Sequence, residues 1–116
     1  MPKAAHCVLC VSWVDSLAVT RKLLLRQAGY RVISAVGEEE EQAICKMDGD
    51  LLVFGHSVPQ DRKQALIESF SKHSAAPVLS LLGPGQRKVP QATFGVEPTG
   101  PEDFIRAVLD ILPRSA

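Results

Sequence analysis

The stretch DLLVFGHSVP at residues 50–59 decides the fold of this chain. An acidic residue precedes four apolar residues, a run too short for a helix, and Gly55 and Pro59 follow it closely. This pattern is typical of a strand buried on both faces of a parallel sheet. In open α/β sheets, ligands and reacting groups lie just beyond the carboxyl ends of such strands. Here that position is Gly55, which has no side chain to act as a nucleophile or a ligand.

Strand-like and helix-like segments alternate on both sides of this stretch. Strands are predicted at 5–11, 30–36, 50–54, 77–82 and 93–96. Helices are predicted from Asp15 to a stop at Gly29, after the glutamate run 38–41, from Asp61, and from a capping box that begins at Thr99. The alternation predicts an α/β fold with five parallel strands, helices on both faces and the strand order 2-1-3-4-5.

The crossover between the fourth and fifth strands is unusually short. Residues 83–90 read GPGQRKVP, and only about ten residues separate the two strands, whereas a parallel crossover usually takes a dozen or more and a helix. We therefore expect the fourth helix to be shortened or absent. In the neighbouring helices, Ala43, Ile44 and Met47, and then Ala65, Leu66, Ile67 and Phe70, are expected to face the core.

Composition restricts the classes of function. The 116 residues fit one domain spanning 1–116, and 13 basic residues balance 13 acidic ones. No basic field exists to attract nucleic acid or an anionic membrane surface, and no apolar run approaches the length of a membrane span. The early Asp15 argues against a signal peptide, so the cytoplasm is the expected compartment. With nucleic acid and membrane excluded, we expect this chain to bind another protein.

The three cysteines do not predict a disulfide framework or a metal site. Cys7 and Cys10 lie within one predicted strand, so their side chains point to opposite faces rather than forming a redox pair. Cys45 is left over, and His6, His56 and His73 follow no metal-ligand spacing. The cysteines are expected to be buried small apolar residues.

Five segments in this order and spacing resemble the receiver domain of bacterial two-component response regulators. The segments cover nearly the whole chain: VLCV at 8–11, the first helix and its stop at 15–30, DLLVFGHSVP at 50–59, PVLSLL at 77–82 and FGVEP at 94–98. The resemblance implies a flavodoxin-like fold and a role in signalling. It also implies a cis peptide bond at the corner Glu97-Pro98.

The functional residues of the receiver family have no equivalents in this chain. The acidic pair that holds magnesium falls on Ser12 and Trp13, and the aspartate that accepts phosphate falls on Gly55. The hydroxyl residue that contacts the phosphoryl group falls on Leu82, and the conserved lysine of the family falls on Glu97. Glycine cannot be phosphorylated, and a carboxylate in place of the lysine adds negative charge where a cation is needed. We therefore predict a pseudo-receiver with no catalytic residue, no cofactor and no metal, in which Trp13 packs into the emptied pocket.

The alternative is a receiver or a small enzyme in which a neighbouring residue carries out phosphoryl transfer or hydrolysis. Either Asp15 or His56 could accept a phosphoryl group, and Ser12, His56 and Glu97 would lie at one end of the sheet as a hydrolase would need. The first βα turn lacks the G-x-S-x-G elbow of such enzymes, and His56 is expected to point away from the vacant position.

The family's aromatic switch position is kept as Phe94. Because the crossover is short, apolar surface near Leu81, Phe94 and the last helix is expected to be exposed. A homodimer or a protein partner is predicted on this face of the fourth strand, fifth strand and last helix, with Arg87 and Lys88 on its polar rim. The opposing expectation is that Val89 and its loop fold back and seal the face, leaving a monomer.

Overall fold

The computed structural model describes residues 6–97 and 100–113 of the chain. The order of elements is β1 Cys7–Ser12, α1 Asp15–Gln27, β2 Arg31–Val36, α2 Glu38–Ile44, β3 Leu51–Phe54, α3 Gln60–Ser71, β4 Val78–Leu81, β5 Phe94–Val96 and α4 Pro101–Ile111. Gly29 ends the first βα unit with a φ of 100°, the left-handed conformation that favours glycine.

The five strands form one parallel sheet in the order β2-β1-β3-β4-β5. The predicted strand order is therefore confirmed, and so is β2 at a sheet edge. Val8 and Leu51 are fully buried and Val78 is 2% exposed, as expected for strands covered on both faces.

Two apolar clusters lie on opposite faces of the sheet. On one face, Leu9 and Val11 of β1 pack with buried residues of α2 and α3. On the other, Val8 and Cys10 pack with Leu25 of α1 and with residues of α4. Alternate residues of one strand thus supply both clusters, because successive strand side chains point to opposite faces.

The loop between β4 and β5 covers the sheet without a helix. Residues 82–93, all of them described, form turns, and Val89 and Ala92 are each 4% exposed within the α2/α3 cluster. The expectation that Leu81 lies at an exposed surface is wrong, since it is fully buried in the opposite cluster, on the α4 side. Phe94, by contrast, is 42% exposed on β5. Of the two strand residues expected at the exposed apolar surface, only Phe94 on the edge strand is therefore exposed.

The thiols lie as the strand geometry predicts. Cys7 packs against the α2/α3 cluster and Cys10 lies inside the α1/α4 cluster, so the two side chains diverge. All three cysteines are free. Burial raises the pKa of Cys10 and that of Cys45 to about 12, which leaves both thiols protonated and unreactive at neutral pH. Within 6–97 and 100–113, no helix has the length and apolar character needed to cross a membrane.

In helices α2 and α3, charged side chains are buried and some apolar residues that were expected to face the core are exposed. Ala43, Met47 and Ala65 are exposed, whereas Glu41 and Lys63 are fully buried. The Lys63 ammonium group donates to the Ser80 hydroxyl at 2.9 Å and to the Leu81 carbonyl at 3.1 Å. Burial lowers the pKa of Lys63 to about 8, because removal from water penalises the charged form.

The buried Lys63 predicts a rise in stability at alkaline pH. Below pH 8 both the folded and the unfolded chain carry the proton, so the folded state bears the full desolvation penalty. Between pH 8 and the ordinary lysine pKa of 10.5, only the unfolded chain keeps the proton, and the free energy of unfolding should rise by about 3 kcal/mol from this group.

Urea denaturation of the wild type and of Lys63→Met across pH 7.5–10.5 measures this change. The difference between the two proteins isolates Lys63, because other groups that titrate in this range, the buried cysteines included, contribute equally to both. Lys72→Met is the matched control, since Lys72 is exposed at the end of α3. A stability difference that stays constant with pH would show that Lys63 titrates normally.

Candidate functional site

The carboxyl ends of four strands meet at the edge where the resemblance places a phosphorylation site. Ser12 ends β1, Gly55 follows β3, Leu82 follows β4, and Glu97 follows β5. Gly55 is buried, and its amide donates to the Val11 carbonyl at 2.8 Å, which fixes it beside the end of β1.

The Ser12 hydroxyl group is used locally. Its Oγ accepts from the Val14 amide and also lies 3.2 Å from the Val14 carbonyl, so it closes the turn that leads into α1. Ser12 is 2% exposed, and Oγ lies 3.5 Å from the position that a Cβ at residue 55 would occupy. Ser12 therefore lies beside the vacant position and offers one hydroxyl in place of a carboxylate.

Arg21 of α1 occupies the space that Gly55 leaves. Its Nη1 lies 2.7 Å from the Cβ position of residue 55, closer than any real Cβ contact. Nη1 is buried and has no hydrogen-bond partner among the described residues. Burial lowers the pKa of the Arg21 guanidinium group, but an arginine still stays charged at neutral pH. A cation thus lies where the receiver family has its phosphate-accepting carboxylate.

Trp13 packs in a different direction from the one expected. It is half-buried against the α2/α3 cluster, and its indole Nε1 donates to the Glu41 carboxylate at 2.9 Å. Its backbone amide donates to the Ser57 hydroxyl at 3.1 Å. Trp13 is a packing residue, as predicted, but Arg21 is the side chain that reaches Gly55.

Glu41 joins three elements through one carboxylate. Besides Trp13, it accepts from Nε of Arg62 at 2.9 Å and from Nη2 of the same residue. The pair links α2 to α3, and the indole links both to the loop after β1. Glu41 is fully buried, whereas the Arg62 side chain is 29% exposed. Glu41, the last residue of the glutamate run, therefore has a structural role in the interior.

A cavity of about 350 Å³ opens at this edge between α1 and α4. Of the residues singled out from sequence, His56, Leu81, Leu82 and Glu97 contribute to its lining, together with Arg21. Ser12 and Asp15 do not line it, and Asp15 is exposed at the start of α1. The structure therefore brings His56 and Glu97 to one cavity but leaves Ser12 outside it, which removes the nucleophile from the hydrolase alternative.

The crossover loop is held by its own polar contacts. Gln86 accepts from the Gly83 amide at 2.8 Å and donates to the His56 carbonyl at 3.3 Å. Lys88 donates to the carbonyls of Ala92 and Val89, and its side chain crosses Gly95 of β5. Arg87 and Lys88 are both exposed.

Two further observations concern this edge of the sheet. The cis peptide bond predicted at Glu97-Pro98 lies outside the described residues, because Pro98 is not among them. Within 6–97 and 100–113, no group of three or more histidine, cysteine or acidic side chains is arranged to hold a metal ion.

The Glu41 cluster leads to a prediction about stability. Glu41→Gln keeps the size of the side chain but removes the charge that the buried carboxylate shares with Arg62 and Trp13. We expect the free energy of unfolding to fall by about 3 kcal/mol, the lower end of the range for a broken buried ion pair, because Arg62 is partly hydrated. Urea denaturation at pH 7 measures the change.

Glu68→Gln on the exposed face of α3 is the matched control and should alter stability by less than about 0.5 kcal/mol. Equal effects of the two substitutions would show that the Glu41 contacts contribute nothing beyond an ordinary surface charge.

Comparison with known proteins finds similarity in structure. No protein-family model and no curated protein matches the chain. A putative response regulator from Chloroflexus aurantiacus is 29% identical, with 98% of this chain and 100% of that chain covered and a TM-score of 0.74. The chemotaxis response regulator CheY4 of Vibrio cholerae is 22% identical over 92% of this chain and 98% of its own, with a TM-score of 0.75. The response regulator TrrA from Thermotoga maritima, in complex with Mg²⁺ and BeF, is 18% identical over 92% and 99%, with a TM-score of 0.75. The chain has the flavodoxin-like fold of CheY-like response-regulator receiver domains.

Proposed function

We propose that this chain is a signalling module that binds a protein partner, or a second copy of itself, without being phosphorylated. The observation that carries the proposal is the guanidinium group of Arg21, which lies 2.7 Å from the Cβ position of Gly55. A phosphorylated receiver needs a free carboxylate at this position, and this chain has a glycine with a cation beside it.

The other residues at the sheet edge support the same proposal. Phosphoryl transfer depends on cations that neutralise developing charge, and on oxygen ligands that hold magnesium. Glu97 contributes a negative charge at the end of β5, and Leu82 contributes an apolar wall. Ser12 and Trp13 contribute a hydroxyl that closes a turn and an indole that is bonded to Glu41.

The proposed interaction surface centres on Phe94. This side chain is 42% exposed on β5, at the edge of the sheet, and Arg87 and Lys88 are exposed on the loop that precedes the strand. Leu81 lies beneath the surface and contributes to packing instead of contact. An exposed aromatic residue beside an arginine has a composition that is enriched in protein interfaces.

Phosphorylation of a displaced residue is the competing function, and His56 is its best candidate because it lines the cavity with Glu97 and Arg21. The same experiment tests both functions. Incubation with acetyl phosphate and Mg²⁺, followed by intact-mass measurement at neutral pH, detects a phosphoryl group on either an aspartate or a histidine.

We expect the wild type to keep its mass, with an active receiver domain treated in parallel as the positive control. Gly55→Asp should also stay unmodified, because Arg21 would pair with the new carboxylate and the magnesium ligands would still be absent. Addition of a phosphoryl group to the wild type would refute the proposal, and its loss in His56→Ala would identify the acceptor.

Association through Phe94 is a separate prediction. We expect the wild type to form dimers at tens of micromolar in light scattering, and Phe94→Asp to be monomeric because a charge would replace the apolar centre of the contact. Val19→Asp is the matched control, since Val19 is 59% exposed on the outer face of α1, away from β5. A wild type as monomeric as Phe94→Asp would exclude the homodimer.

A further inference from the structure

The cavity beside Arg21 has the form of a small-molecule site. Its volume of about 350 Å³ falls within the range of ligand pockets, and most of its walls are apolar. Helix α1 contributes Leu17 and Leu24, the end of β4 contributes Leu81 and Leu82, and Phe104 of α4 closes the far side. The polar groups are few, as in sites where one contact orients a largely apolar ligand.

Arg21 is the basic side chain that lines this cavity, and it forms no ion pair within residues 6–97 and 100–113. The ion pairs among the described residues involve His6, Arg62 and His73, and none involves Arg21. Its Nη1 is buried without a hydrogen-bond partner. The nearby Cys10 thiol is neutral at pH 7, because burial raises its pKa to about 12. Arg21 is only partly buried as a residue, but its unsatisfied Nη1 is desolvated, so pairing with an anion would be favourable.

The apolar walls continue along the outside of the two helices. A second cavity of about 440 Å³ shares Leu24 and Pro101 with the first, so the two lie next to each other along α1 and α4. Ile105 and Leu109 of α4 line this second cavity, together with the charged residues Glu102, Arg106 and Asp110. The two adjacent cavities, called the groove below, combine a cation with apolar side chains, which matches a ligand with one charged end and one apolar end.

We propose that this groove binds an organic carboxylate with an apolar chain, its carboxylate on Arg21 and its chain along Leu24, Phe104 and Ile105. Glu97 also lines the cavity, and its negative charge favours a singly charged head group over a phosphate dianion. The proposal concerns a site that is independent of the Phe94 surface, so it stands whether or not the chain forms a dimer.

Octanoate is the probe, titrated into the folded wild-type chain below its micelle concentration and followed by two-dimensional NMR of the backbone amides. We expect saturable binding with a sub-millimolar Kd, with the largest shifts in α1 and α4. Hexanoate should bind more weakly because it buries less apolar surface. Octanol tests the charge and should bind at least about tenfold more weakly, given the strength of a hydrogen bond to a charged group. Octyl phosphate tests the preference for a carboxylate and should also bind more weakly, because Glu97 repels its second negative charge.

Two variants test Arg21 from opposite directions. Arg21→Met removes the cation and should weaken octanoate binding at least about tenfold. Gly55→Asp keeps Arg21 but supplies a carboxylate beside it, so it should compete with the ligand to a similar extent. Arg26→Met is the matched control, since Arg26 is exposed on the same helix and should leave the Kd unchanged. If Arg21→Met does not fold, Gly55→Asp still tests the assignment.

Absence of saturable octanoate binding to the wild type would overturn the proposal. Equal binding of octanol and octanoate would also overturn it, because an apolar groove alone would then account for the affinity. Tighter binding of octyl phosphate than of octanoate would keep Arg21 as the anion site and refute the carboxylate as its ligand.

Discussion

The close approach of Arg21 to Gly55 is the constraint on which the functional edge of this domain depends. A side chain at residue 55 would meet Nη1 at 2.7 Å, so the guanidinium group can take this position only because the residue is glycine. A Cβ at residue 55 would require the flexible end of the Arg21 side chain to shift. The glycine at residue 55 and the buried Nη1 of Arg21 are therefore one structural feature, and both the proposed function and the proposed anion site rest on it.

Two further charges are buried on the other side of the sheet, and each is held by hydrogen bonds to neighbouring elements. The Lys63 ammonium group donates to the Leu81 carbonyl and the Ser80 hydroxyl at the end of β4, the strand that is followed by a crossover without a helix. Glu41 ties the loop after β1 to α2 and α3 through Trp13 and Arg62. Buried charges are expensive to desolvate, so each must be held by well-placed partners, and those partners fix the geometry of short elements that have little apolar surface of their own.

The sheet could be predicted from sequence because its strands are short apolar runs, and the alternation with helices leaves few topologies. The buried charges could not be predicted, because the helical pattern assigns charged residues to the solvent face and their burial depends on partners far along the chain. The sequence pattern did not single out Arg21, and Met47, which was expected to face the core, is 39% exposed. The prediction that Leu81 is exposed was wrong for a related reason. The sequence indicated that no helix lies between the fourth and fifth strands, but it did not indicate that Leu81 of the fourth strand packs with residues of α4.

The charges at the sheet edge determine whether an anion there could be bound covalently or only reversibly. A receiver that is phosphorylated needs negative oxygen atoms around a metal and a cation beside the phosphate. Here a cation enters from α1, a carboxylate follows β5, and residue 55 is a glycine, which offers no nucleophile. If the proposed anion site is correct, occupancy follows the concentration of the anion directly, because no covalent bond to it is formed. Under the two proposals together, the domain would respond to binding equilibria alone, without a kinase or a phosphatase to set or reset its state.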